Sequence, residues 1–128
     1  MQAQTRVVHC KKAAYDVYIG RGRGSGNVWG NPFTHIANKQ TLAQFVMPSR
    51  ESAIAAHRKW FVQQPALMAR LGELRGKTLG CWCHPLSCHG DFLAELANAL
   101  PSAPAHLSLD EILVAVAPVL TRYGLMPQ

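Results

Sequence analysis

The chain has 128 residues, 48% of them hydrophobic and 16% charged, which excludes a disordered or low-complexity polymer and suits one domain with its own core. No apolar run reaches the length of about 20 residues that a membrane-spanning helix needs. The formal charge is +6, unevenly spread: residues 1–80 carry 12 basic and 3 acidic side chains, residues 81–128 carry 1 and 4. A basic body suits a polyanionic partner, either nucleic acid or a phosphate-bearing small molecule, and equally suits a solvated surface.

The opening MQAQTRVVHC lacks the apolar segment of a signal peptide, so a cytoplasmic protein with reduced thiols is expected. Residues 5–10 (TRVVHC) are short and β-branched and read as a strand; residues 16–19 (DVYI) read as a second. The short link between them predicts a hairpin, because a parallel crossover ordinarily needs a dozen or more residues. Residues 20–33 (GRGRGSGNVWGNPF) form a long glycine-rich loop, pinned by Trp29, Pro32 and Phe33. Its glycines alternate at Gly20, Gly22, Gly24 and Gly26, matching neither the Walker pattern nor G-x-G-x-x-G, so a P-loop ATPase and a dinucleotide fingerprint are excluded. Arg21 and Arg23 remain as forks for phosphate or carboxylate. Asn31, before Pro32, is a turn residue or an amide that reads a ligand edge.

Residues 49–63 predict a helix with Ser49 as N-cap, Glu51 in its first turn and an apolar stripe of Ala53, Ile54, His57, Trp60 and Phe61. His57 and Trp60 read as core. Arg50 sits where the helix dipole disfavours a cation, which suggests a nearby anion or a merely exposed arginine. Pro65 suits the first position of a second helix through about Leu74. Residues 77–83 (KTLGCWC) read as a strand, and residues 88–100 (CHGDFLAELANAL) as a helix with Phe92, Leu93, Leu96 and Leu100 on one face. After a linker at 101–104, Ser108 and Glu111 form a capping box for a helix through about Ala117, which Pro118 breaks or kinks. The expected organisation is an α/β core at residues 1–100 and a helical extension at 101–128 packed on it.

The run CWCHPLSCHGD, residues 81–91, concentrates the chemistry. Three cysteines within eight residues are too close for a disulfide framework and point to a metal or reactive cluster. Alternation places Cys81 and Cys83 on one side of their strand. Cys88 and His89 fall at a helix N-terminus, where unpaired N–H groups favour thiolates and anions. Asp91, in the first turn, can orient His89, act as a base, or complement the dipole. Three readings stand. Cys83 or Cys88 is a nucleophile with His89 as acid/base and Asp91 as its orienter. Alternatively, Cys81, Cys83, Cys88 and one of His84 or His89 hold zinc in a non-catalytic nucleic-acid- or protein-binding module. In the third reading the cysteines are buried for packing alone.

The segments YIGR (18–21), WGNPF (29–33), SRE (49–51) and CWC-x-P-x-x-CHGD (81–91) together resemble an uncharacterised domain-of-unknown-function family of bacteria and phages. Its hallmark is an NPF motif paired with a CHGD motif. The resemblance covers about residues 5–100. It implies an intracellular α/β domain in which Arg21, Asn31, Arg50, Cys83, Cys88, His89 and Asp91 share one site, and it implies no reaction. The strand–loop–helix unit also resembles Rossmann-like nucleotide-handling folds. The resulting expectation is a mixed, mostly parallel sheet of about four strands flanked by helices, with a ligand beyond the strand ends. Whether the domain is an enzyme stays open at this point.

Overall fold

Strand β5 (Thr78–Cys81) is the centre of the molecule. The computed structural model describes residues 4–21, 28–34, 45–101 and 107–125; Arg23, Gly22, Gly24, Gly26 and the linker at 102–104 lie outside the described residues. On either side of β5 run β1 (Arg6–His9) and β2 (Val17–Tyr18), both parallel to it, in the order β1–β5–β2. His9 pairs with Cys81 and Tyr18 with Gly80. Two shorter strands, β3 (Phe33–Thr34) and β4 (Phe45–Val46), form a separate parallel pair. The α/β class and its parallel character hold, with the strands divided between a three-stranded and a two-stranded sheet.

The expected hairpin is not formed. β1 and β2 are not neighbours, because β5 inserts between them. The connection after β1 instead runs back across one face of β5, from the Cys10 N–H on the Cys81 carbonyl (2.9 Å) to the Asp16 N–H on the Thr78 carbonyl (2.8 Å). Gly80 permits this short crossover. A Cβ at that position would lie 2.5 Å from the Tyr15 ring, so only a residue without a side chain lets the link cross the sheet this closely.

The opposite face of the sheet is covered by α3 (His89–Ala99), which packs on β1 and β5. Leu79, Phe92, Leu93, Leu96 and Ile19 are all buried here, each large side chain contributing about 1.5–3 kcal/mol. Thr5 locks the start of β1 to α3: its N–H donates to Asn98 Oδ1 at 2.7 Å and its carbonyl accepts from Asn98 Nδ2 at 2.9 Å.

α1 (Arg50–Phe61) begins at the expected Ser49 cap, with Ser52 completing a capping box. The second predicted helix divides into α2 (Pro65–Met68) and a 3₁₀ turn (Leu71–Leu74). Leu71 and Leu74 are both fully buried, and a 3₁₀ turn aligns side chains three apart where an α-helix would only approximate it. α4 (Leu109–Arg122) continues through Pro118, so the helix is not broken there as one of the two expectations had it. Pro118 and Val114, whose carbonyl loses its donor, are both on the exposed side, where a lost backbone bond costs least, while buried Ile112, Val116, Val119 and Leu120 hold both halves of the helix on the core. α4 packs on α3, where Tyr123 meets Phe92 edge-to-face at 5.5 Å. Among the described residues no helix is long and apolar enough to cross a membrane.

Candidate functional site

The carboxyl ends of β2 and β5 open into a cavity of about 100 Å³. Arg21 and Asn31 line it from the glycine-rich segment, Arg50 from the start of α1, and Cys81, Cys83, Cys88 and His89 from the turn between β5 and α3. Gly20, Phe33, Ala53, Ile54, Trp82 and Ser87 complete the wall. Asp91 is not among the lining residues.

Backbone proximity assembles this wall. Gly30 lies so close to the 20–21 segment that a Cβ there would sit 3.0 Å from Arg21 Cα and 3.1 Å from the Gly20 carbonyl oxygen. The two arms of the loop are thereby held side by side, and Arg21 ties them further by donating to the Asn31 carbonyl at 3.0 Å. Asn31 is buried and its amide serves the backbone: Oδ1 accepts from the Phe33 N–H at 2.9 Å and Nδ2 donates to the Ala53 carbonyl at 3.4 Å. Trp29, also buried, anchors the loop in the core beside Phe61.

The two arms converge on His89. Its Nε2 lies 2.8 Å from the Ile19 carbonyl oxygen and 2.9 Å from that of Trp29. Carbonyls only accept, so Nε2 carries the proton and Nδ1 is the unprotonated nitrogen. Burial holds the imidazole below its ordinary pKa, although the two carbonyls pull the other way, and His89 is therefore neutral at neutral pH. The orientation of the ring comes from these carbonyls. Asp91 has a different partner: its carboxylate accepts the Cys88 N–H at 3.2 Å, completing the capping box of α3, and it is exposed.

Three cysteines share this wall. Cys88 is the N-cap of α3, its Sγ receiving the Gly90 N–H at 3.3 Å, and it lies 3.2 Å from Cys81 Sγ. The Cys83 thiol is pushed far below its ordinary pKa, first by the Cys81 thiol, then by Cys88, with Arg50 adding a hydrogen bond and its charge. Cys88 is pushed up by donating to Cys81 and Cys83 and by burial, and Cys81 is pushed up chiefly by donating to Cys83. These shifts favour the thiolate at Cys83, the half-buried sulfur of the three, over the two buried thiols. Among the described residues no group of three or more His, Cys, Asp or Glu side chains is disposed around a common metal position.

His57 was legible from the sequence only as a core residue. It is 1% exposed, packed among Trp60, Phe61 and Phe92, and its ring stands edge-to-face on His89 at 5.0 Å. Neither ring nitrogen has a hydrogen-bond partner among the described residues. Burial, then the neighbouring His89 imidazole, which would share a proton's charge with it, and the Arg58 cation push its pKa well below the ordinary value. Trp82, just past the end of β5, is 55% exposed; its indole N–H donates to Tyr18 Oη at 2.8 Å and Lys11 lies over the ring.

Comparison with known proteins places the chain in a family. A family model described as a domain of unknown function (DUF4326) matches residues 3–99, and the chain belongs to that family. It is 37% identical over 99 residues to an uncharacterised 12.4 kDa protein in the nrdA-td intergenic region of Enterobacteria phage T4, covering 74% of this chain and 79% of the phage protein. It is 35% identical over 89 residues to an uncharacterised protein of Acanthamoeba polyphaga mimivirus, covering 63% of this chain and 65% of the viral protein. No solved structure matches it. The matched family region contains every residue that lines the cavity and ends before α4 begins.

Proposed function

We propose that the cavity binds the phosphate of a nucleotide or a nucleic-acid-derived compound, and that Cys83 is the nucleophile directed at it. One observation carries this reading: two guanidinium groups, Arg21 and Arg50, line the same cavity as Cys83, and among the described residues neither has a carboxylate partner. Arginine forks match phosphate oxygens, and a guanidinium beside a thiol favours the reactive thiolate. Size limits what is enclosed. Sites that engulf a drug-sized ligand measure roughly 300–1,000 Å³, so a cavity of about 100 Å³ takes the anionic group and leaves the remainder of the ligand at the mouth. His89, neutral with Nε2 donating to main chain, offers Nδ1 as the base or hydrogen-bond acceptor. Asp91 acts at one remove by capping α3 and so holding Cys88 and His89 in place.

Calorimetric titration with inorganic phosphate and a panel of mono- and dinucleotides tests the reading. Arg50→Ala is expected to weaken binding by roughly 10- to 150-fold, the worth of about 1.5–3 kcal/mol for a hydrogen bond to a charged group. Unchanged affinity in that variant, or no binding of any compound in the panel, overturns it. Elemental analysis of the same preparation covers the alternative: one zinc per chain, lost on replacing Cys81, Cys83, Cys88 or His89, replaces this reading with a zinc-stabilised module.

A further inference from the structure

The thiol cluster has chemistry of its own, separate from phosphate binding. All four cysteines are free; Cys81 and Cys88 are buried, while Cys83 is half-buried at the cavity. Cys10 is also half-buried but lies outside the cavity, so the molecule contains its own reference thiol. A half-buried thiol that shares a cavity with a guanidinium and with further thiols is the arrangement that captures peroxides and then closes a disulfide. We infer that Cys83 is a site of oxidation by hydroperoxides, and that Cys88 resolves the oxidised sulfur into a Cys83–Cys88 disulfide.

The chemistry balances within the cluster and one hydroperoxide. The Cys83 thiolate attacks the terminal oxygen of the hydroperoxide and the O–O bond breaks. Sulfur gives up two electrons and becomes the sulfenic acid, and the departing alkoxide or hydroxide takes a proton and leaves as alcohol or water. Cys88 Sγ then attacks the Cys83 sulfur. The S–O bond breaks, hydroxide leaves with the thiol proton as water, and the S–S bond forms. Arg50, on the wall of the same cavity, stabilises the attacking thiolate.

Chain connectivity selects Cys88 over Cys81 as the resolving partner. Cys81 and Cys83 are two residues apart at one strand end, and a bond between them closes a very short, stiff ring. Cys88 approaches from a different element, the cap of α3. Cys81 Sγ lies 3.2 Å from Cys88 Sγ, within the same thiol cluster.

The test treats the full reduced chain with equimolar hydrogen peroxide and follows intact mass and peptide maps. The wild-type chain and Cys81→Ser are expected to lose two hydrogens, with Cys83 joined to Cys88, and Cys83 is expected to react at least about tenfold faster than Cys10. In Cys88→Ser, where serine keeps the helix cap, the reaction is expected to stop at a Cys83 sulfenic acid that dimedone traps. Oxidation of Cys83 no faster than Cys10, a disulfide that maps to Cys81 or Cys10, or a Cys88→Ser chain that still closes a bond to Cys83 overturns the inference.

Discussion

The N-termini of α3 and α4 are one local structure built from two sets of residues. At α4 the Ser108 hydroxyl accepts the Glu111 N–H at 3.1 Å while the Glu111 carboxylate accepts the Ser108 N–H at 3.0 Å. At α3 the Cys88 sulfur accepts the Gly90 N–H at 3.3 Å while the Asp91 carboxylate accepts the Cys88 N–H at 3.2 Å. Serine leads the ranking of N-caps and cysteine has no place near its head, so capping alone does not account for sulfur at position 88. The surroundings do. Ser108 is exposed, whereas Cys88 is buried against the Cys81 sulfur and next to a buried histidine. The same box that only ends a helix at α4 positions a reactive group at α3.

Acid gives the largest effect and separates the two ends most sharply. His57 and His89, which meet at the α3 end, are both held below the ordinary histidine pKa of 6.5 by burial. The unfolded chain keeps the ordinary value and so binds more protons. Stability is therefore complete above about pH 6.5 and falls as the pH drops below it, at a limiting slope of about 1.4 kcal/mol per unit for each histidine that stays neutral in the folded chain. Thermal melts between pH 7 and pH 5 check this, and His57→Leu is expected to make the slope shallower. A profile that is flat in the wild-type chain breaks the picture of two buried neutral imidazoles.

Cap substitutions sharpen the contrast at smaller scale. Ser108→Ala is expected to cost about 1 kcal/mol in urea denaturation and nothing else. Cys88→Ser is expected to change stability by less than about 1 kcal/mol, since a better cap offsets a lost buried sulfur. A loss well beyond that would make packing, not chemistry, the reason for cysteine at this cap. The smallest effect belongs to the Arg122–Glu95 ion pair, which joins the last turn of α4 to α3 at the surface. Arg122→Ala is expected to cost no more than about 0.5 kcal/mol by the same denaturation, through a screened pair that salt weakens further.

Features that depend on neighbours within one turn were legible in the chain. Ser49, Cys88 and Ser108 stand where helix starts were expected, because a cap and its partner are three residues apart and both can be read in one dimension. The strands were half legible. β1, β2 and β5 carry enough β-branched or apolar residues to be seen, but β3 and β4 are two residues each and no periodicity exists over so short a span. The hairpin expectation failed because strand pairing is a contest between distant segments, and β5, some seventy residues further along, supplies hydrogen bonds to both β1 and β2. Pro118 misled for a related reason: its local cost is fixed, while the core contacts that outweigh it are not visible along the chain.

The residue types by themselves determined the helix starts, the α/β class and the presence of a sulfur-rich, arginine-accompanied chemistry, because each of these is written in short-range spacing and in the intrinsic properties of thiol and guanidinium. Only the tertiary structure decided that Arg21, Arg50 and the three sulfurs line one cavity, that main-chain carbonyls and not Asp91 orient His89, and that His57 stands buried against it. Those facts depend on which backbone segments can approach one another, and that is set by where side chains are missing, as at Gly30 and Gly80, and by which segment wins the place beside β5.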